Sequence, residues 1–227
     1  GTICTTAAFA DPWNESERQA IYAAREGAAQ LVAAHERKWA ELWQGDIEIE
    51  GDPTAQLDVR FALFNLYGSI REGSRRSIPP MGLSARGFYN GHIFWDSEIW
   101  MYPALLVLRP CLARQMLDYR TDGLDAARRR AYAHGYRGAM FPWEGDDRGE
   151  EATPTFALTG PLEHHITADI AIASWNYYCV TQDREWLRRE GFPLMREAAR
   201  FWCDRVTANA DGSYSIRNVI GANEYAV

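Results

Sequence analysis

The sequence is almost without lysine. Of its 24 basic residues only Lys38 is a lysine, and the rest are arginine. We read that as codon or lineage bias with little bearing on function. Histidine is also scarce, with five in 227 residues. No Cys–His arrangement and no H-E-x-x-H stands out, so no metal site is expected. The four cysteines, Cys4, Cys111, Cys179 and Cys203, form no C-x-x-C spacing. Each has apolar sequence neighbours, which predicts reduced thiols in a core. That usage fits a cytoplasmic compartment, with secretion as the alternative. No G-x-G-x-x-G, P-loop or G-x-S-x-G occurs, which sets aside the common nucleotide and serine-hydrolase signatures. The longest strongly apolar stretch, 93–108, contains Asp96 and Glu98 and is too short for a bilayer. Positive charge is in deficit, with a net charge of −7 and a pI of about 5.3. Generic binders of nucleic acid or anionic membranes are basic, so both partners are excluded from the reading.

What is present is globular: 47% hydrophobic and 24% charged residues. The length suits one large domain or one and a half small ones. Residues 1–10 alternate like one strand of something larger. A long helix is predicted from Glu15 to Trp43, with Ile21, Ala24, Ala28, Leu31, His35, Trp39 and Leu42 on its apolar side. Further helices are expected at 54–72, 93–119, 123–136, 163–181 and 183–208, of which 93–119 is apolar almost all round and therefore buried. Residues 213–220 alternate like a strand. Two loops of about 20 residues, 74–91 and 140–162, are long for a compact domain, and such loops are usually functional. Paired helices with long loops at one end suggest a helical hairpin array or an α/α toroid. Neither end of the sequence looks like a natural terminus.

The loops concentrate aromatic rings and carboxylates. Phe88 to Glu98 reads FYNGHIFWDSE, Phe141 to Glu151 reads FPWEGDDRGEE, and Gly221 to Tyr225 reads GANEY. Indole faces stack on the C–H groups of a sugar ring, and carboxylates accept its hydroxyls. Breaking a glycosidic bond needs one carboxyl group that keeps its proton for the leaving oxygen. Asp96 sits where a loop enters a helix. It is an N-cap or an ionised sugar ligand, with Glu98 a capping partner or second ligand. Glu144, Glu150 and Glu151 form a solvated acidic loop or line a site, and the D-x-D-x-D-G spacing of a calcium loop is missing. Trp143 in that loop reads as an exposed ring that contacts something. The adjacent His164 and His165 face different ways and suit no metal; Glu163 before them is a cap candidate. Glu224 is either a surface residue or an acid whose pKa is raised by partial burial.

Taken together the motifs resemble glycoside hydrolase family 65, which includes α-glucobiose phosphorylases and related α-glucoside hydrolases. The resemblance rests on Gly91 to Pro103 (GHIFWDSEIWMYP), Tyr119-Arg120, Gly138 to Glu144 (GAMFPWE), Gly149-Glu150-Glu151, Glu163 to Thr167 (EHHIT) and Gly221 to Tyr225. It runs from about residue 50 to 227. At the last motif the family usually shows Pro-Asp-Glu or a close variant, and Ala222-Asn223 departs from it slightly. The resemblance implies an all-α fold, a partial (α/α)6 toroid with a remnant strand of an N-terminal β-sandwich and a linker helix. The divisions would be 1–12 for the strand, 13–50 for the linker and 51–227 for the first half of the catalytic barrel. Glu224 matches the general acid, and Trp95 and Asp96 match the pocket for the non-reducing glucose. Phe94, Trp143, Glu144 and His165 are placed in the same pocket. The partner is thus a carbohydrate, and no cofactor is implied.

Hydrolases and phosphorylases of the family both invert the anomeric centre and differ in the nucleophile. A hydrolase adds a carboxylate to activate water, roughly 6.5–9.5 Å from the acid. A phosphorylase instead holds phosphate with donors and positive charge. In the family both features fall beyond the position of Val227. The stretches GEEATP and LTGPLEHH resemble the hydrolase branch, including kojibiose-type α-1,2-glucosidases. An inverting phosphorylase releasing glucose 1-phosphate is the alternative, and an inactive fragment or sugar-binding scaffold is another. Half a toroid would leave an apolar edge, which a homodimer or the missing half would cover.

Overall fold

Asp11 and Pro12 start the first helix. In the computed structural model, which describes residues 1–6, 8–84 and 87–224, α1 is Pro12–Glu26, and the Asp11 carboxylate accepts the Asn14 N–H at 3.0 Å. Proline loses nothing at the first helical position, because that N–H would lack an intrahelical acceptor anyway. The periodicity predicts one helix to Trp43, but the chain makes two. Gly27 takes φ +79°, outside the helical range and open to glycine at low cost, and α2 follows as Ala28–Leu42. The described residues of 1–10 form no strand, contrary to their alternating pattern. A strand needs a partner to pair with; here the Thr5 carbonyl instead accepts the N–H groups of Ala8 and Phe9 in a turn. Gly1–Glu48 forms one compact unit and Ile49–Val227 a second.

The second unit opens with α3, Pro53–Ser69, capped by the Asp52 carboxylate on the N–H groups of Thr54 and Ala55. The stretch predicted as one helix over 93–119 is three pieces. A π-turn at Ser97–Met101 leads into α4, Tyr102–Leu108, and α5 follows at Pro110–Asp122. Pro103 and Pro110 lack an N–H and exclude the carbonyl four residues back, so each sits in the first turn of a new helix. α6 is Leu124–Ala133, the single turn α7 is Thr159–Leu162, and α8 is Ile166–Thr181. The last helical run is α9, Arg184–Trp186, a π-turn at Leu187–Gly191, and α10, Phe192–Arg205, with Pro193 again at a start. The run predicted as a strand over 213–220 yields only β2, Tyr214–Ser215, antiparallel to β1, Thr207–Ala208.

The main core takes in Phe141 and Trp143 of the long loop 140–162. It joins Phe94, Leu124, Ala127, Ala139, Phe141, Trp143, Ile166, Ile170 and Leu194, and Trp95 packs against it. Each large side chain so buried contributes about 1.5–3 kcal/mol. A second cluster of Ala131, Met140 and Phe201, flanked by Tyr136 and Trp202, extends it between α6 and α10. The chain threads between those helices at Gly138. A Cβ there would lie 2.3 Å from the Glu197 carbonyl oxygen, and φ is +80°.

All four cysteines are free, as expected, but none is in a core: Cys179 and Cys203 are exposed, and Cys4 and Cys111 partly so. Sequence neighbours on a helix point in different directions, so apolar flanks at i±1 do not make a buried position. No helix of the described residues is long and apolar enough to cross a membrane.

Candidate active site

Three short backbone pairings bring the motif loops together. Ile93 and Gly145 exchange two hydrogen bonds of 2.8 Å, Gly145 also bridges to Glu151, and Glu163 runs parallel to Ile220. Gly145 is required at the first junction, since a Cβ would lie 2.5 Å from the Tyr119 hydroxyl. The first pairing sets Phe94-Trp95-Asp96 beside Trp143-Glu144. The third, with Ile220 N–H donating to the Leu162 carbonyl at 3.0 Å, brings in the segment that ends at Glu224. Together they line a cavity of about 660 Å³.

Phe94, Trp95, Asp96, Trp143, Glu144 and Glu224 all line this cavity. Six of the seven residues singled out in the sequence are therefore brought together. The seventh, His165, is not in the lining: it sits behind the indoles, its ring 4.7 Å from Trp95 and 6.0 Å from Trp143, edge to face with both. Both its nitrogens are engaged, Nε2 with the Glu163 carboxylate at 2.9 Å and Nδ1 with Asp169 at 2.7 Å. Burial opposes the charged ring, but the two carboxylates outweigh it and raise the pKa to about 9. Glu163 is thus a ligand of His165 and not a cap of α8, whose first turn has no side-chain cap. His164 behaves in the opposite way. It is buried, bonds the Pro161 carbonyl and accepts from Arg205 Nε at 3.0 Å, and burial lowers its pKa to about 4.

The helix-start reading of Asp96 as an N-cap fails. Asp96 has helical φ and ψ itself and caps no N–H with its side chain. Burial pushes its carboxyl pKa up, only partly offset by a hydrogen bond to its own backbone. A desolvated carboxylate with open acceptor positions gains from sugar hydroxyls. Glu98 is neither cap nor ligand. It forms a buried two-pronged ion pair with Arg120 at 2.8 and 2.9 Å, and Arg120 Nη2 also reaches the Phe94 carbonyl at 3.3 Å. That pair fixes the backbone just before Trp95.

The acidic loop is solvated only in part: Asp147 and Glu150 are exposed, whereas Glu144 and Glu151 are drawn inward. The Glu151 carboxylate accepts the N–H groups of Trp143 and Thr153 at 3.1 Å and pairs with Arg130 at 2.6 Å. Arg130 also holds the Phe141 carbonyl at 2.8 Å. Trp143, expected to be exposed, is 4% exposed and edge-on to Phe94 at 5.7 Å, because the loop folds over the core. Glu144 is steered by His92, whose Nδ1 lies 2.9 Å from its carboxylate.

Of the two local readings of Glu224, a surface residue or a partly buried acid, the structure gives the first: it is exposed, since Gly221, Ala222 and Asn223 beside it are small or polar and themselves exposed. Tyr225 lies outside the described residues. Sequence reasoning missed Tyr89, with φ +55°, and Phe156, 86% exposed at the cavity rim. Tyr89 stands in the aromatic loop and was legible there; Phe156 is isolated in a Pro- and Gly-rich loop and carries no signal. Asp169 was legible only as the i+4 partner of His165.

A cavity walled by indoles, with three carboxylates on its lining, thus lies on a helical scaffold. Comparisons with known proteins name the family: residues 60–227 match the Glycosyl hydrolase family 65 central catalytic domain, and the chain belongs to that family. It is 52% identical over 226 residues to the kojibiose hydrolase of Mucilaginibacter mallensis, covering 100% of this chain and 33% of that protein. It is 43% identical over 212 residues to the kojibiose phosphorylase of Halothermothrix orenii, covering 87% of this chain and 27% of that protein. The chain therefore spans about a third of the length of these relatives or less. A solved structure provisionally assigned as a kojibiose phosphorylase from the human microbiome superposes with a TM-score of 0.85. It is 23% identical and covers 96% of this chain and 29% of its own. That likeness identifies the fold as part of a helical toroid, in keeping with the all-α architecture expected from the sequence.

Proposed function

We propose that this chain carries the acid-bearing first half of the catalytic barrel of an inverting α-glucoside hydrolase acting on an α-linked glucose disaccharide or glucosyl conjugate, with kojibiose the first candidate. The observation that carries the reading is the meeting of Asp96, Glu144 and Glu224 with the Trp95 and Trp143 indoles on one cavity. Glu224 acts as general acid, passing its proton to the glycosidic oxygen as the bond to the anomeric carbon breaks. Asp96 and Glu144 accept glucose hydroxyls, Trp95, Trp143 and Phe94 wall the ring, and His165 supports the indoles. The residue that activates water lies, by the family resemblance, beyond Val227. The 52% identity to a kojibiose hydrolase supports hydrolysis.

Phosphorolysis is the second reading, favoured by the 43% identity to a kojibiose phosphorylase. Product analysis on kojibiose with and without phosphate separates the two. Free glucose without phosphate supports the hydrolase; glucose 1-phosphate formed only with phosphate overturns it. Glu224→Gln removes the transferable proton and is expected to abolish turnover of kojibiose, and an unchanged rate would remove Glu224 from the acid role.

In this reading residues 51–227 are the first half of the barrel, 13–50 the linker and 1–12 the end of a β-sandwich. Val107 on α4 and Ile172 and Trp175 on α8 are exposed apolar residues, a face for the rest of the barrel or a second copy to cover. The four free cysteines support a cytoplasmic location.

A further inference from the structure

We propose that Glu163, His165 and Asp169 form a positioning triad for the cavity, in which a doubly clamped imidazolium sets the two indole walls without touching the sugar. The inference rests on the carbohydrate reading of the cavity. Its first support is geometric. With Glu163 and Asp169 both ionised, a ring whose two nitrogens face their oxygens at 2.9 and 2.7 Å donates from both, so the form of His165 bonded to the two carboxylates is the cation. That cation stands edge to face with Trp95 at 4.7 Å and with Trp143 at 6.0 Å. Edge-to-face packing on both indoles means that the plane of the clamped ring fixes where they lie. Neither nitrogen is free for a hydroxyl, which is why His165 acts through Trp95 and Trp143.

The second support is the position of Glu163. It is fully buried, its Oε1 binds His165, and its Oε2 has no partner among the described residues. A carboxylate is costly to bury with so few hydrogen bonds. The cationic ring offsets that cost and ties it to this place. Burial pushes the Glu163 pKa up and the charge of Glu224 adds to this, while His165 opposes both. Glu163 also pairs its backbone with Ile220, four residues before Glu224. One residue thus joins the ring behind the indoles to the segment that carries the proposed acid.

The charged groups around His165 are Glu163 from the turn before α8 and Asp169 from the first turn of α8, with the Glu98–Arg120 pair behind Asp169. Asp96, Glu144 and Glu224 lie on the cavity lining in front of the indoles. The triad therefore predicts a pH break in sugar binding at about 9, where the ring loses its proton.

The test titrates the protein with glucose, followed by tryptophan fluorescence, from pH 6 to 10. Binding should hold up to the break and weaken above it. Glu163→Gln and Asp169→Asn keep an acceptor at each nitrogen but remove one charge, and each should move the break down by about one pH unit or more. Both should raise KM for kojibiose more than they lower kcat. Asp169 is partly exposed, so Asp169→Asn serves if the buried Glu163→Gln does not fold. His165→Phe should abolish the break. Glucose binding in the parent protein without a break near 9, or with a break that Asp169→Asn leaves in place, overturns the triad while sparing the sugar site. No glucose binding at any pH overturns the carbohydrate reading and the triad with it.

Discussion

His164 gives the sharpest test of the buried core behind the site. Its imidazole is held neutral: Nε2–H donates to the Pro161 carbonyl at 2.9 Å, Nδ1 accepts from Arg205 Nε, and Phe201 packs edge-on at 5.7 Å. Protonation would put a cation in the core and turn the nitrogen that faces Arg205 into a second donor. Burial is the main reason its pKa falls from 6.5 to about 4, and the Arg205 charge adds to it. The unfolded chain takes up the proton first as pH drops below 6.5. Stability is therefore lost between about 6.5 and about 4 and regained as pH rises. At about 1.4 kcal/mol per pH unit, that gap is worth about 3 kcal/mol. His165 contributes nothing further in this window, because it is charged in both states below 6.5; its own contribution is lost as pH rises from 6.5 through about 9. The two rings together place the stability maximum near 6.5. The assay is urea unfolding, followed by circular dichroism, of the parent protein and His164→Gln from pH 4 to 8. Glutamine keeps a donor and an acceptor but does not titrate, so the difference between the two proteins should shrink by about 3 kcal/mol from pH 8 to pH 4. A difference that stays constant with pH would refute the neutral-ring argument.

Two further predictions follow from the site. Arg120→Met leaves Glu98 as a buried carboxylate without its partner, so the protein should lose about 3–5 kcal/mol of stability, read as a fall in urea midpoint; a loss under 1 kcal/mol would show that the pair is not buried as described. Asp96→Asn removes a charged acceptor from the cavity and should lower kcat/KM for kojibiose by about 10-fold or more, whereas unaltered kinetics would take Asp96 out of the glucose pocket.

The all-α class, the position of most helices and the loops that form the site were legible in the sequence, because periodicity and Gly/Pro punctuation are local signals. Asp52, Pro53 and the acidic-aromatic loops carry their meaning wherever the chain places them. Helix breaks were less legible. Gly27 and Pro103 had to be weighed against strong flanking periodicity, and the outcome depends on what each segment packs against. The site residues were found by motif, and six of the seven do meet on one cavity. Their electrostatic states were beyond the sequence. Adjacent histidines of identical chemistry have pKa values of about 4 and about 9, because one meets Arg205 and the core and the other meets two carboxylates. Likewise Glu98, Glu151 and Glu163 read alike as acidic residues near a loop. Only the fold decides that one pairs with Arg120, one ties down the Trp143 loop and one clamps His165. Residue type fixes which interactions are available, and the packing of distant segments selects which one each residue makes.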